Sequence, residues 1–420
     1  MTLRAMFPLL VLVGALAAGA AASGPTDPAF GLPSRIAGYH PEPSLWVAPD
    51  GQLLVAAPTG VFVQTAGSEP TIVWRQTSSG AFQDVSPPPF AVGGGDSDLM
   101  MAPDGTTVVV DLSAVSITAW TSSDRGSHWS SPFPIASGTL ANDRMWLAAD
   151  ENSAYYLIYN QLESGYWGSK STDGGKTWLP THIAGAGQYP PGPLVYTSQH
   201  VLAFGHGDGP ASEVAGIFVG HAGVSPVRVG AAIFVTTSND HGATWADHLV
   251  AETPEWGQNM FPSVAADAAG NLYVLWSEGI VSYHNPIRYA VSTDGGDSWS
   301  APRTLVAAGA GSTMLPWAVA GAAGHLGVAY IKSDRAADNT AGVWHTYYSM
   351  TQDALSTTPL VVTTQVSDVP AHVGAITSRP NIGDFLTARA MPDGRAAITW
   401  GEDSSGDAIR IVTQTSGTTL

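Results

Sequence analysis

The chain has 420 residues, 44% of them hydrophobic and 12% charged, with 47 Gly, 30 Pro and no Cys. Its 16 Lys plus Arg face 34 Asp plus Glu for a net charge of −18, which excludes a basic track for a phosphate backbone and with it nucleic acid as an expected partner. The lack of Cys excludes disulfides, thiolate metal sites and a lipid-modified N-terminal Cys, while the apolar fraction and the many turn formers point to a large all-β core.

Met1-Thr2-Leu3-Arg4, the apolar run from Phe7 to Ala18 and the small residues Ala20-Ala21-Ala22 have the layout of a secretory signal peptide, residues 1–22. Cleavage after Ala22 is expected, giving a secreted, extracytoplasmic chain with no membrane span once the signal is removed. An uncleaved anchor is the alternative, for which the run is short. Residues 23–37 are rich in Gly and Pro and read as a linker; 38–420 read as a single domain.

That domain opens on a hairpin: Leu45 to Ala48, the turn Pro49-Asp50-Gly51, then Leu53 to Ala57. The unit returns at Leu99 to Ala102 with Pro103-Asp104-Gly105, at Met145 to Ala149 with Asp150, and at Ser263 to Ala266 with Asp267 to Gly270. It returns again at Trp317 to Ala320 with Gly321 to Gly324, and at Thr387 to Ala390 with Pro392-Asp393-Gly394. A weaker copy fits the long gap between Asp150 and Asp267, with Val195 to Ser198 and Val201 to Phe204 flanking Gln199-His200. A second pattern, S-x-D-x-G-x-x-W, alternates with these hairpins. It stands at Ser122 (Asp124, Gly126, Trp129), Ser171 (Asp173, Gly175, Trp178), Ser238 (Asp240, Gly242, Trp245) and Ser292 (Asp294, Gly296, Trp299). The Asp suits a turn whose backbone N–H groups need an acceptor, the Gly a conformation closed to other residues, and the Trp an anchor against the layer beneath. Repetition at this interval predicts a β-propeller of four-stranded blades. Seven blades are favoured over six, and a strand near Ser34 to Tyr39 is expected to complete the last blade.

The four boxes resemble the Asp boxes of the sialidase (neuraminidase) superfamily of BNR-repeat propellers. The resemblance implies that each box joins the third and fourth strands of a blade, away from the active centre, and that the chain acts on glycans. The family's first blade carries an F/Y-R-I-P-x-L type motif whose Arg holds the sialic acid carboxylate. Tyr39-His40-Pro41-Glu42-Pro43-Ser44-Leu45 matches its P-S-L part, but Pro41 stands at the Arg position. Arg228, Arg288, Arg303 and Arg379 are not tied by any local pattern to the remaining Arg positions, and no Tyr nucleophile can be assigned, although Tyr347 and Tyr348 fall late in the chain.

Chemistry in a propeller gathers where the innermost strands begin. Aligned on their hairpins, the repeats bring Glu42, Asp96, Asp98, Asp143 and Asp384 to that end, candidates for the acid and base, or nucleophile, of a glycosidase. Arg144, Arg379 and His372 are candidates for substrate binding. A salt-bridge network plugging the axis explains the same residues. His206-Gly207-Asp208-Gly209 reads as turn chemistry rather than a metal site, so no metal and no cofactor is expected. Trp46, Trp146, Trp276 and Trp400 read as core between blades, and Trp167 and Trp256 as sugar-stacking candidates. Three functions fit: a secreted glycoside hydrolase, a non-catalytic propeller binding glycan or protein, and a surface or structural component. A monomer with a glycan or glycoconjugate partner is the expectation.

Overall fold

Most repeats begin with a largely buried strand, turn at an Asp, and return as a second strand that is almost wholly buried; the turn carries Thr197 in the fourth repeat and runs Gly321 to Gly324 in the sixth. The turn Asp caps its own loop: Asp150 Oδ1 accepts from Asn152 N (3.0 Å) and Ala154 N (2.8 Å), and Asp267 Oδ1 from Ala269 N (2.9 Å) and Asn271 N (3.1 Å). The computed structural model describes residues 25–38, 40–59, 71–88, 94–113, 116–136, 142–161, 165–183, 191–208, 231–253, 262–278, 285–307, 309, 311–376 and 382–420. The proposed signal peptide, residues 1–22, lies outside them.

In chain order, β1 (Ala29–Phe30) and β2 (Ser34–Ala37) are followed by blade 1, which is β3 (Ser44–Val47), β4 (Leu53–Pro58), β5 (Thr71–Gln76) and β6 (Phe82–Asp84). Blade 2 is β7 (Ser97–Met101), β8 (Thr107–Ser113), β9 (Ser116–Ser122) and β10 (Phe133–Pro134); blade 3 is β11 (Asn142–Ala149), β12 (Tyr155–Gln161), β13 (Gly165–Ser171) and β14 (Leu179–His182). Blade 4 is β15 (Val195–Tyr196), β16 (Leu202–Asp208), β17 (Ala231–Ser238) and β18 (Ala246–Thr253), and blade 5 is β19 (Ser263–Ala266), β20 (Leu272–Ser277), β21 (Ile287–Ser292) and β22 (Arg303–Val306). Blade 6 is β23 (Ser312–Ala320), β24 (Leu326–Ser333), β25 (Val343–Thr351) and β26 (Val362–Gln365), with β27 (His372–Val373) paired to β25. Blade 7 is β28 (Thr387–Ala390), β29 (Ala396–Glu402) and β30 (Ala408–Ser416), and every pairing is antiparallel.

The protein is a seven-bladed β-propeller. The weak hairpin at Gln199-His200 is a full blade. Its third strand follows after residues 209–230, so the sequence spacing doubles there without a blade being lost. The ring closes as the repeats predict: β2 pairs with β30 from Ser34↔Ile411 to Ala37↔Ala408 and serves as the fourth strand of blade 7. The segment read as a linker therefore holds two strands of the domain, because β1 also pairs with β30. Ile36 is buried with Ile409 and Ile411, which fixes which face β2 turns inward.

All four boxes connect the third and fourth strands of blades 2 to 5. In blade 3, Asp173 Oδ1 accepts from Lys176 N (3.0 Å) and Thr177 N (2.9 Å), Gly175 N donates to Ser171 Oγ (2.9 Å), and the Trp178 indole donates to Gly175 O (3.2 Å). Trp245 and Trp299 repeat that bond to Gly242 and Gly296, whereas Trp129 donates to Val85 O of the preceding blade (2.7 Å). Gly175 sits at φ +80° with the place of a Cβ 2.6 Å from Thr121 Cγ2, so no other residue fits. Blade 6 holds a degenerate box that the pattern did not catch: Thr351 Oγ1 donates to Asp353 Oδ1, which also accepts from Leu360 N (3.0 Å).

Candidate active site at the axial end of the innermost strands

The floor of the site is aromatic. Trp146 packs on Trp317 (5.3 Å between ring centroids) and on Phe385 (5.1 Å), and Trp317 on Phe385 (5.7 Å), joining blades 3, 6 and 7 at the axis. Trp146 was expected between blades, as Trp276 and Trp400 are; instead it helps to fill the centre. Trp46 is half-buried, with the Arg389 guanidinium 4.7 Å above its ring.

Arg144 lies on this floor. Its guanidinium is 4.3 Å from the ring centroids of both Trp146 and Phe385, close enough for cation–π attraction on two sides. A bulge in β11 between Asp143 and Met145 turns the side chain inward, and Arg144 adopts φ +26° to do so. Nη1 binds Glu42 Oε2 (2.9 Å) and Asp96 Oδ1 (3.3 Å), and Nη2 donates to Ser97 O (2.9 Å). The backbone N of Arg144 donates to Asp96 Oδ2 (3.1 Å) and to Asp143 Oδ1 (3.0 Å). Glu42, also at a left-handed φ of +57°, accepts from Asp384 N through Oε1 (3.1 Å). Gly383 makes this approach possible, because a Cβ there would stand 2.3 Å from Glu42 Cγ. Blades 1 and 2 thus hold the guanidinium through Glu42 and Asp96, while Asp143 of blade 3 accepts from the Arg144 backbone and Asp384 of blade 7 donates its backbone N to Glu42.

Burial pushes the Glu42 carboxyl well above the usual range, and the like charges of Asp96 and Asp384 add to the effect that Arg144 opposes. Burial, with Asp96 and Asp384 again adding, pushes Asp143 up to about 7. Asp384 is exposed, so the cluster is open to solvent on that side. The arrangement combines a carboxyl held protonated near neutrality with others around a cation, which is what general acid–base chemistry requires.

Glu42, Asp96, Asp143, Arg144 and Asp384 are brought together here. Asp98 stands apart from them. It is buried, its Oδ1 accepts from Ser44 Oγ (2.7 Å) and its Oδ2 from Leu147 N (2.8 Å), so it ties blades 1, 2 and 3. His372 is bound through Nδ1 to Asp403 Oδ1 (2.9 Å) and links blades 6 and 7. Arg379, Arg228, Tyr39 and Trp256 lie outside the described residues. Arg288 pairs with Glu278 (3.3 Å) and Arg303 donates to Ala354 O (2.9 Å), both in outer strands of blade 5. Tyr348 is buried against Phe30, and Tyr347 stacks on Tyr330. His206 is in strand β16 rather than a loop, with Nε2 3.0 Å from Thr236 Oγ1. Among the described residues no group of three His, Asp or Glu has metal-binding geometry, and no helix is long and apolar enough to cross a membrane.

One residue was missed. Asp111, at the end of β8, is buried and accepts through Oδ1 from Thr71 Oγ1 (2.6 Å) and Gly94 N (2.9 Å); burial pushes it up to about 7, against the pull of the Thr71 bond. The signal was a carboxylate interrupting the apolar run Val108-Val109-Val110-Asp111-Leu112.

The sequence pattern of the BNR repeat-like domain matches residues 111–323, about half of the chain and all four boxes. The chain belongs to the BNR-repeat, sialidase-like propeller superfamily. No curated protein matches it. Among solved structures, this BNR propeller resembles a polysaccharide lyase, an ulvan lyase bound to a GlcA(1-4)Rha3S saccharide, at 12% identity over 92% of this chain and 93% of that one, with a TM-score of 0.51. It also resembles the Penicillium chrysogenum α-L-arabinanase complexed with arabinobiose (14% identity, 93% and 98% covered, TM-score 0.46) and a Hadza microbial sialidase (14%, 84% and 74%, TM-score 0.44). At these identities the likeness is one of fold.

Proposed function

We propose that this BNR propeller is an exported glycoside hydrolase acting on extracellular glycans without a requirement for an anionic sugar. The observation that carries the reading is the gathering of Glu42, Asp96 and Asp143 around Arg144, with Asp384 joined to Glu42, above an aromatic floor. Superfamily membership and the saccharide bound by the ulvan lyase, a neighbour of the same fold, support a carbohydrate ligand.

In this reading Asp143, protonated up to about pH 7, gives its proton to the glycosidic oxygen as the C1–O bond breaks. Asp384, facing solvent, takes a proton from the water that adds to C1. Glu42 and Asp96 hold the guanidinium, and the aromatic floor excludes water from below. Arg144 is already engaged by two carboxylates and a carbonyl, and Pro41 replaces the Arg of the sialidase motif. At the cluster a sialic acid carboxylate thus meets a cation already held by Glu42 and Asp96, within a chain of net charge −18.

The test is turnover on a panel of neutral oligosaccharides alongside a fluorogenic sialoside. Hydrolysis of a panel member is expected, with Asp143→Asn and Asp384→Asn each lowering it by about 100-fold or more at unchanged melting temperature. Robust sialoside release with both variants fully active overturns the reading. Export is tested by mass spectrometry of the protein outside the cell, which should begin at or near Ser23; retention of residues 1–22 contradicts it.

A further inference from the structure

We propose that the protein carries a second, peripheral carbohydrate site: a cleft between blades 7 and 1 that takes one pyranose ring of a glycan. The choice of a sugar rests in part on the glycan reading above; the cleft itself does not. Its origin is a missing box. Elsewhere each box packs its turn against the preceding blade, so that the place of a Cβ on Gly175 of blade 3 is 2.6 Å from Thr121 of blade 2, and that on Gly296 of blade 5 is 2.6 Å from Thr237 of blade 4. The box indole fills the seam: Trp129 reaches Val85 O of blade 1 (2.7 Å), Trp178 joins the apolar cluster of Met100 and Val108 in blade 2, and Trp299 that of Val201 and Ala203 in blade 4. In blade 1 the third and fourth strands are joined instead by Thr77-Ser78-Ser79-Gly80-Ala81. That turn is closed by Gly80 N on Thr77 O (2.9 Å) and Thr77 N on Ala81 O (2.7 Å), and it has no indole to send toward blade 7. An open cleft of about 470 Å³ lies at this seam, a size suited to a small ligand. Buried Ile36 and Trp74 form its floor, Phe82 and the Gly80-Ala81 turn line the blade 1 side, and Ser34 and Arg35 the blade 7 side.

A second observation concerns the cation. In three other seams a basic side chain of the preceding blade caps the next blade's turn: Arg75 donates to Arg125 O (3.1 Å), Lys170 to His241 O (3.2 Å) and Arg303 to Ala354 O (2.9 Å). The outermost strand of blade 7 carries Arg35, which bonds through Nη2 to Gly406 O of its own blade (2.6 Å). Arg35 makes no other hydrogen bond and no ion pair with the described residues, so its remaining donors are open to a ligand in the cleft. The occupant that fits is a flat ring with an apolar face and a rim of acceptors. An indole has the face, but its N–H only donates; a pyranose offers a C–H face to Phe82 and Ile36 and hydroxyl oxygens to Arg35.

The experiment is saturation-transfer NMR of the full chain with methyl β-D-glucopyranoside, methyl β-D-galactopyranoside and methyl α-D-mannopyranoside as separate probes, and N-acetyltryptophanamide as an aromatic probe. Transfer to the ring protons of at least one glycoside is expected. It should fall by about fivefold or more in Arg35→Ala, which removes the donors, and in Ala81→Trp, which puts an indole over the cleft, both at unchanged melting temperature. Asp384→Asn, at the axial cluster, should leave it intact. Transfer that persists in either cleft variant overturns the inference; where it falls in Asp384→Asn instead, it belongs to the axial site and the glycan reading stands. Transfer to N-acetyltryptophanamide alone, lost in Ala81→Trp, assigns the cleft to an aromatic side chain of a partner protein and also overturns the inference. Absence of transfer to all three glycosides overturns it too, while the turnover panel decides the glycan reading separately.

Discussion

Arg144 and Glu42 are 102 residues apart in the chain and 2.9 Å apart in space, each at a left-handed backbone angle that a side chain rarely adopts. Two such residues facing each other at the end of the axis indicate strain retained for what it positions. The pair also bears on the charge state of the cluster, since the guanidinium, with the Asp384 backbone N, favours ionised Glu42 against the larger effect of burial.

Replacing Arg144 with Met keeps most of the contact with Trp146 and Phe385 but leaves Glu42 and Asp96 without their cation. Truncating one partner of a buried pair typically destabilises by about 3 kcal/mol or more. Chemical denaturation of Arg144→Met should show that loss at pH 8 and a smaller one at pH 5, where the stranded carboxyls take up protons.

Stability should fall as pH rises from about 4 to about 7. Asp111 and Asp143 are held up to about 7 in the fold, so the native state binds more protons than the unfolded chain across that window. The opposite sign holds for Asp294, lowered to about 2 by its bonds to Ser298 and Ser292; its contribution is present above the usual carboxylate pKa and is lost on acidification toward 2. The melting temperature should therefore be higher at pH 5 than at pH 8 and fall again below about pH 3. Asp111→Asn should flatten the slope between pH 5 and 8.

The boxes should respond as turns. Gly175→Ala forces a Cβ into Thr121 Cγ2 at φ +80°, and a loss of about 2 kcal/mol is expected. Thermal unfolding checks it, and ligand binding by the folded variant should be unchanged.

Ring closure should be sensitive to β2. Ile36→Ala empties a buried site between β2 and β30, at an expected loss of about 2 to 4 kcal/mol, whereas Arg35→Ala, on the exposed side of the same strand, should change stability little. Proteolysis should then begin near residues 25–38 in the Ile36 variant.

The architecture was legible because the hairpin turns and boxes are local: an Asp that caps its own loop and a Gly at positive φ leave their mark within eight residues. Convergence of Glu42, Asp96, Asp143, Arg144 and Asp384 was legible from the phase of the repeats. The separation of Asp98 from Asp96 was not. Both residues precede or open β7 two apart, and what divides them is the contact each finds in a neighbouring blade: Ser44 and Leu147 for one, Arg144 for the other. Asp111 was missed for a related reason, since its partners Thr71 and Gly94 come from other segments of blades 1 and 2. Trp146 reads like Trp276 and Trp400 in sequence, yet it lies in the innermost strand β11 while they lie in the second strands β20 and β29, so it meets Trp317 of innermost strand β23 at the axis.

The central claim is that carbohydrate is handled at the Arg144 cluster, and a crystal structure of the Asp143→Asn variant with the panel oligosaccharide it binds tests it most directly. The account predicts a sugar ring above the Trp146–Phe385 floor, with its glycosidic oxygen within hydrogen-bonding distance of residue 143 and Asp384 close to the anomeric carbon through a water. A well-ordered oligosaccharide on the box face or between outer strands, with the axial carboxyls untouched, would contradict it.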